Sequence, residues 1–117
     1  MTNIKLNESI EKTIKENLPN KKVCSNLANF YSLFSDSTRI KIIISLLLSE
    51  MCVNDLTRIL GLNQTTISHQ LKILKSSGAV TSTRRNKFIF YKITDKFISI
   101  IMHNGVDYIL SHKNKSA

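Results

Sequence analysis

Apolar residues recur along this chain in two different periods. Leu6, Ile10, Ile14 and Leu18 repeat every four residues, which predicts an amphipathic helix with one narrow apolar stripe. Pro19 separates it from a second helical pattern through Val23, Leu27, Phe30, Tyr31 and Phe34. Asp36 reads as the N-cap of a third helix carrying Ile40, Ile43, Ile44, Leu47 and Leu48. Two short helices follow. Asn54 is placed to cap the first, which carries Leu56, Ile59 and Leu60 and stops at Gly61. Asn63 is placed to cap the second, with Ile67, Leu71 and Leu74 on one face and Gly78 after its end. Gly61-Leu62-Asn63 is then the tight turn of a helix-turn-helix.

After Gly78 the period changes. Val80-Thr81-Ser82-Thr83 and Phe88-Ile89-Phe90-Tyr91 are rich in β-branched and aromatic residues, as strands are. Between them, Arg84-Arg85-Asn86-Lys87 predicts a basic hairpin tip, with Asn86 able to take the left-handed conformation that such turns require. From Asp95 to about His112 the pattern is helical again, with Phe97, Ile98, Ile101, Met102, Tyr108 and Ile109 apolar. The expected fold is mainly α with a small β-hairpin, a winged helix-turn-helix forming one domain over 1–117. The helix-turn-helix occupies 54–76 and the wing 79–93.

Composition narrows the function. With 117 residues and 42% hydrophobic content the chain can bury a modest core, and chains this short often gain stability from a partner subunit. Seventeen Lys and Arg against eight Asp and Glu give a net charge of +9 and a pI near 9.8, which favours a polyanionic partner. There is no apolar run long enough to span a bilayer, and the N-terminus lacks the apolar core of a secretory signal. Two cysteines without such a signal make no disulfide framework, and a reducing cytoplasm is the expected location. An enzyme is not expected. The carboxylates form no paired constellation, no glycine-rich phosphate loop exists, and Ser68 and His69 are helix neighbours that cannot face one another as nucleophile and base.

In a helix-turn-helix the second helix enters the major groove. Its face opposite Ile67, Leu71 and Leu74 carries Gln64, Thr65, Ser68, His69 and Lys72. Gln64 can pair bidentately with adenine, and Thr65 and Ser68 can bond base edges or phosphates. His69 can donate to a phosphate or a guanine, and Lys72 suits a phosphate. On the hairpin, Arg84, Arg85 and Lys87 suit backbone phosphates or a minor groove. Loss of Arg85 is expected to weaken binding to all sequences and to lower the salt dependence. The competing reading of the same residues is a solvated helix face and an edge strand guarded by charge.

The residues from about Phe30 to Tyr91 resemble the ArsR/SmtB family of bacterial winged-helix repressors. "FSDSTRIKII" is similar to the family's "LSDPTRLRIL" segment, with Ser37 where proline is usual. "VNDLTRILGLNQTTISHQLKILKSSGAV" resembles its helix-turn-helix, and "SHQLK" is the most specific part. "TRRNKFIFYKI" resembles its wing, with Asn86 where glycine is common. The resemblance implies a homodimeric repressor in bacterial cytoplasm, held on a roughly palindromic duplex until an inducer weakens binding. It also implies that the first and last helices, here 1–20 and 95–112, build the dimer interface. The breadth of the last helix's apolar face and the stripe at Leu6, Ile10 and Ile14 agree with that.

The inducer is less legible. Many thiophilic-metal sensors of the family carry "ELCVCDL"; here Cys52 keeps the first cysteine and Asn54 replaces the second. A soft metal wants three or four close ligands, mainly thiolates, which Cys52 alone cannot supply and to which Cys24 would have to be brought by the fold. The family's C-terminal-helix metal site falls on Asp95, Phe97, Tyr108 and Ser111, where only the aspartate keeps the ligand type. His103 and His112 are off that pattern and point to opposite sides of a helix. The family's dithiol sensing helices carry no cysteine here. Cys52 therefore admits three readings: a small buried residue, part of an atypical metal site with Cys24 or an interface group, or a redox thiol. No cofactor is assigned; a metal ion remains open although both usual sites are incomplete. The alternative to a sequence-specific regulator is a winged helix serving as a dimerisation or protein-binding module.

Overall fold

The structure is a computed structural model that describes residues 5–113. The first four positions of the expected N-terminal helix segment and the last four of the chain lie outside the described residues. Two compact units divide the chain, Met1–Ser32 and Leu33–Ala117.

The first unit holds α1 (Glu8–Asn17) and α2 (Lys21–Ser32). Asn7 caps α1, its Oδ1 accepting from the Ser9 N–H at 2.7 Å. The polar side of α1 carries a Glu11–Lys15 pair at 3.2 Å. Its apolar stripe is exposed: Leu6, Ile10, Ile14 and Leu18 are all open to solvent, as are Val23, Leu27 and Tyr31 of α2.

The second unit begins with α3 (Ser37–Leu48), capped by Asp36, whose Oδ1 accepts from the Arg39 N–H at 2.9 Å. Ile42, Ile43 and Leu46 of α3 are buried. A short strand β1 (Met51–Cys52) leads into α4 (Val53–Leu60). Gly61 ends α4 in the left-handed conformation, at φ 66°, a geometry that costs glycine little because it has no Cβ. Asn63 caps α5 (Gln64–Ser76), accepting from the Thr66 N–H at 2.8 Å. Leu56 of α4 packs into the same core as Ile67, Leu71 and Leu74 of α5, all fully buried, joined by Val80, Ile98 and Met102. Each such aliphatic side chain contributes about 1.5–3 kcal/mol on leaving water, so this core fixes the relation of α5 to its neighbours.

Strands β2 (Val80–Arg85) and β3 (Phe88–Ile93) form the hairpin, and α6 (Lys96–Lys113) follows. The sheet is antiparallel with order β1-β3-β2; Met51 pairs with Tyr91, Val80 with Ile93 and Arg85 with Phe88. Asn86 has φ 57°, the left-handed conformation expected of it. The Asp95 carboxylate accepts from the Phe97 N–H at 2.8 Å at the start of α6.

Three details differ from the sequence expectation. Strand β1 has no counterpart in the hydrophobic pattern. The N-cap of α4 is Cys52, not Asn54, which lies inside the first turn. The Asp55 carboxylate reaches back to the Cys52 N–H at 3.3 Å, the reciprocal arm of a capping box, and so fixes the start of α4 earlier. Arg84 and Arg85 belong to β2 rather than to the tip, which is the two-residue turn Asn86-Lys87.

Candidate nucleic-acid interface

The polar face of α5 follows from its apolar one. Ile67, Leu71 and Leu74 are committed to the core, so residues about half a turn away must face outward. Gln64, Thr65, Ser68, His69 and Lys72 are all exposed and together line one open surface hollow. These are the five side chains singled out from sequence. They combine amide, hydroxyl, imidazole and ammonium groups on a rigid helix, with Gln64 and Thr65 in its first turn.

Two bonds hold this helix in place, and sequence reasoning found neither. Arg39 of α3 donates from Nε to Gln70 Oε1 at 2.9 Å, and from Nη1 to the Leu33 carbonyl at 3.5 Å. Lys75, in the last turn of α5, donates from Nζ to Ser82 Oγ of β2 at 2.7 Å. The first bond ties α5 to α3 and the second ties it to the wing. Position on the half-polar flank of α5 is the only sequence signal for Gln70 and Lys75, and it does not name a partner.

The wing cations divide between the two faces of the sheet. Strand alternation puts Val80, Ser82 and Arg84 on one face and Thr83 and Arg85 on the other. The first face carries the bond to Lys75 and is buried at Val80. Arg84 donates from Nε to the Asn86 carbonyl at 3.3 Å within the turn. On the opposite face the Arg85 guanidinium lies over the Phe90 ring, 4.9 Å from its centroid, and forms an ion pair with Glu50. Lys87 sits at the tip, 5.8 Å from the centre of the Phe88 ring.

Cys52 is buried, and its thiol donates to Asp55 Oδ2 at 3.3 Å. The thiol and amide bonds from Cys52 hold the Asp55 carboxyl below its ordinary pKa, against desolvation, with smaller help from Arg58 at 3.1 Å. Cys24 is exposed in the first unit, its Sγ 3.6 Å from the Pro19 carbonyl oxygen. Among the described residues no three His, Cys, Asp or Glu side chains are grouped to hold a metal ion. Within the second unit Cys52 has no second thiolate beside it, since that unit contains no other cysteine, and its own thiol donates to the Asp55 carboxylate. On α6, His103 Nδ1 is 2.8 Å from the Ser99 carbonyl and His112 Nδ1 is 2.8 Å from the Tyr108 carbonyl, each directed to its own helix.

Residues 36–82 match the family described as bacterial regulatory protein, arsR family. A cadmium resistance transcriptional regulatory protein, CadC, of Listeria innocua is 33% identical over 84 residues, covering 71% of each chain. A transcriptional repressor SmtB homolog of Synechocystis is 28% identical over 83 residues, covering 71% of this chain and 63% of that protein. Among solved structures, a homodimeric winged helix-turn-helix DNA-binding domain from Mycobacterium bovis superimposes with a TM-score of 0.69 at 22% identity. It covers 82% of this chain and 90% of the other, a likeness of fold. Among the described residues no helix is long and apolar enough to cross a membrane.

Proposed function

Since this chain belongs to the ArsR/SmtB family of winged-helix transcriptional repressors, we propose that it binds an operator as a homodimer in the bacterial cytoplasm and leaves it when an inducer weakens binding. The observation that carries this reading is the polar face of α5, five exposed side chains standing opposite a fully buried apolar row. Gln64, Thr65, Ser68 and His69 read base edges in the major groove, and Lys72 meets a phosphate. Arg84 and Lys87 meet phosphates on the flank. Exposed apolar surface on α1 and α6 supports the dimer: Ile10, Ile14, Tyr108, Ile109 and Leu110 have no place in the core described above. Two symmetric copies of α5 require a roughly palindromic site.

The experiment is fluorescence anisotropy on a duplex selected from a random-sequence pool by the wild-type protein. Ser68→Ala and His69→Ala each weaken binding to the selected duplex by about 1–3 kcal/mol, while binding to unrelated duplex changes little. Lys72→Ala and Arg84→Ala weaken both and reduce the salt slope by about 0.9 for each phosphate no longer neutralised. Unchanged affinity of Ser68→Ala for the selected duplex removes α5 from the reading role. Failure to select any duplex, at low salt as well, leaves a winged helix that acts as a protein-binding module.

A further inference from the structure

Of the four wing cations, Arg84, Arg85, Lys87 and Lys92, Arg85 alone among the described residues forms an ion pair, and its carboxylate comes from a distant part of the chain. Glu50 immediately precedes β1, whose second residue, Cys52, caps α4. Arg85 lies on β2, at the far side of the central strand β3. To meet Glu50 its side chain crosses the sheet over the Phe90 ring. The Glu50 side chain is 27% exposed and that of Arg85 56%. The pair thus reaches across the sheet, from the outer strand β2 to the residue just before β1, two residues ahead of the α4 cap.

The opposite face has its own tie, Lys75 to Ser82, from the end of α5. The wing is therefore braced from both faces, on one by the end of α5 and on the other by the segment that leads through β1 into α4. We propose that Arg85, held by Glu50 and stacked on Phe90, is a positioning residue for the wing and not a phosphate contact. A guanidinium suits this post because it can stack on a ring face and still present N–H groups to a carboxylate. The inference rests on the DNA-binding reading given above, and it assigns Arg85 a different part from the one its basic neighbours suggest. Phosphate contact at the tip end of the wing is left to Arg84 and Lys87.

The test uses the full-length protein and the selected duplex, with affinity measured across a salt series. Arg85→Gln and Glu50→Gln each weaken binding, on the order of three- to tenfold for removal of a surface ion pair with its stacked ring. Neither changes the slope of log K against log salt. Arg84→Gln, by contrast, lowers the slope by about 0.9 per protomer. The exchanged pair, Glu50→Arg with Arg85→Glu, recovers most of the affinity that either change alone removes, a recovery that a mere loss of packing would not give. A fall in slope for Arg85→Gln equal to that of Arg84→Gln makes Arg85 a phosphate contact and overturns the proposal. So does tighter binding by Glu50→Gln, unchanged affinity in both single variants, or no recovery in the exchanged pair. Absence of salt-dependent duplex binding by the wild-type protein would instead strike at the DNA-binding reading itself.

Discussion

The bond between Arg39 and Gln70 offers the cleanest test of how α5 is held. Both side chains are half-buried, and Nε donates to Oε1 at 2.9 Å, a well-formed charge-assisted hydrogen bond. Hydrogen bonds to charged groups are worth about 1.5–3 kcal/mol net, and partial exposure places this one at or below the lower end, near 1 kcal/mol. Arg39→Ala also removes the longer bond to the Leu33 carbonyl, so its single-variant loss exceeds the pair's own contribution. The double-mutant cycle of Arg39→Ala and Gln70→Ala removes that difference and isolates the coupling. Urea unfolding followed by circular dichroism supplies the four free energies, at one fixed protomer concentration because self-association raises apparent stability. The expected coupling is about 1 kcal/mol, with the m-value unchanged. Losses that add within about 0.3 kcal/mol would refute the view that this bond fixes α5 against α3.

Two further predictions concern helix caps. Asn63→Ala removes the acceptor for the Thr66 N–H and lowers stability by about 1 kcal/mol in the same unfolding assay, whereas Asn63→Asp keeps the cap and stays near wild type. Asp55 has its folded pKa held below the unfolded value, so the stability it adds is present above the unfolded pKa and is lost as pH falls through the folded one. Melting temperature followed across the acid range should accordingly fall less steeply for Asp55→Asn than for wild type; parallel curves would show that the carboxylate contributes no acid sensitivity.

Much of this was legible in the sequence where a signal is local. Asp36, Asn63 and Gly61 each carry a cap chemistry that needs only its own helix, and all three act as expected. Asn86 takes its left-handed turn for the same reason. The outward row on α5 follows from the burial of Ile67, Leu71 and Leu74. What escaped depends on distant partners. Strand β1 has two residues and exists because β3 pairs with it. That pairing, together with Asp55, moves the cap from Asn54 to Cys52, whose thiol is a poor advertisement for a helix start. Arg84 and Arg85 looked alike as neighbours in a basic tip, and it is the extension of β2 through Arg85 that sends them to opposite faces by strand alternation.

The pairing of Met51 with Tyr91 also has a kinetic meaning. It closes a loop of about forty residues that contains all of α4, α5 and β2, at an entropic cost on the order of 3 kcal/mol if that loop were unstructured. The hydrogen bonds of a two-residue strand, each worth about 1 kcal/mol, do not offset that cost; burial of Met51 and Cys52 adds to them only once the core they enter is in place. β1 is therefore expected to dock after the hairpin and the enclosed helices have shortened the effective loop. Because its second residue caps α4, the first turn of that helix is among the last parts of the helix-turn-helix to become protected from amide exchange during refolding, and among the first to open again.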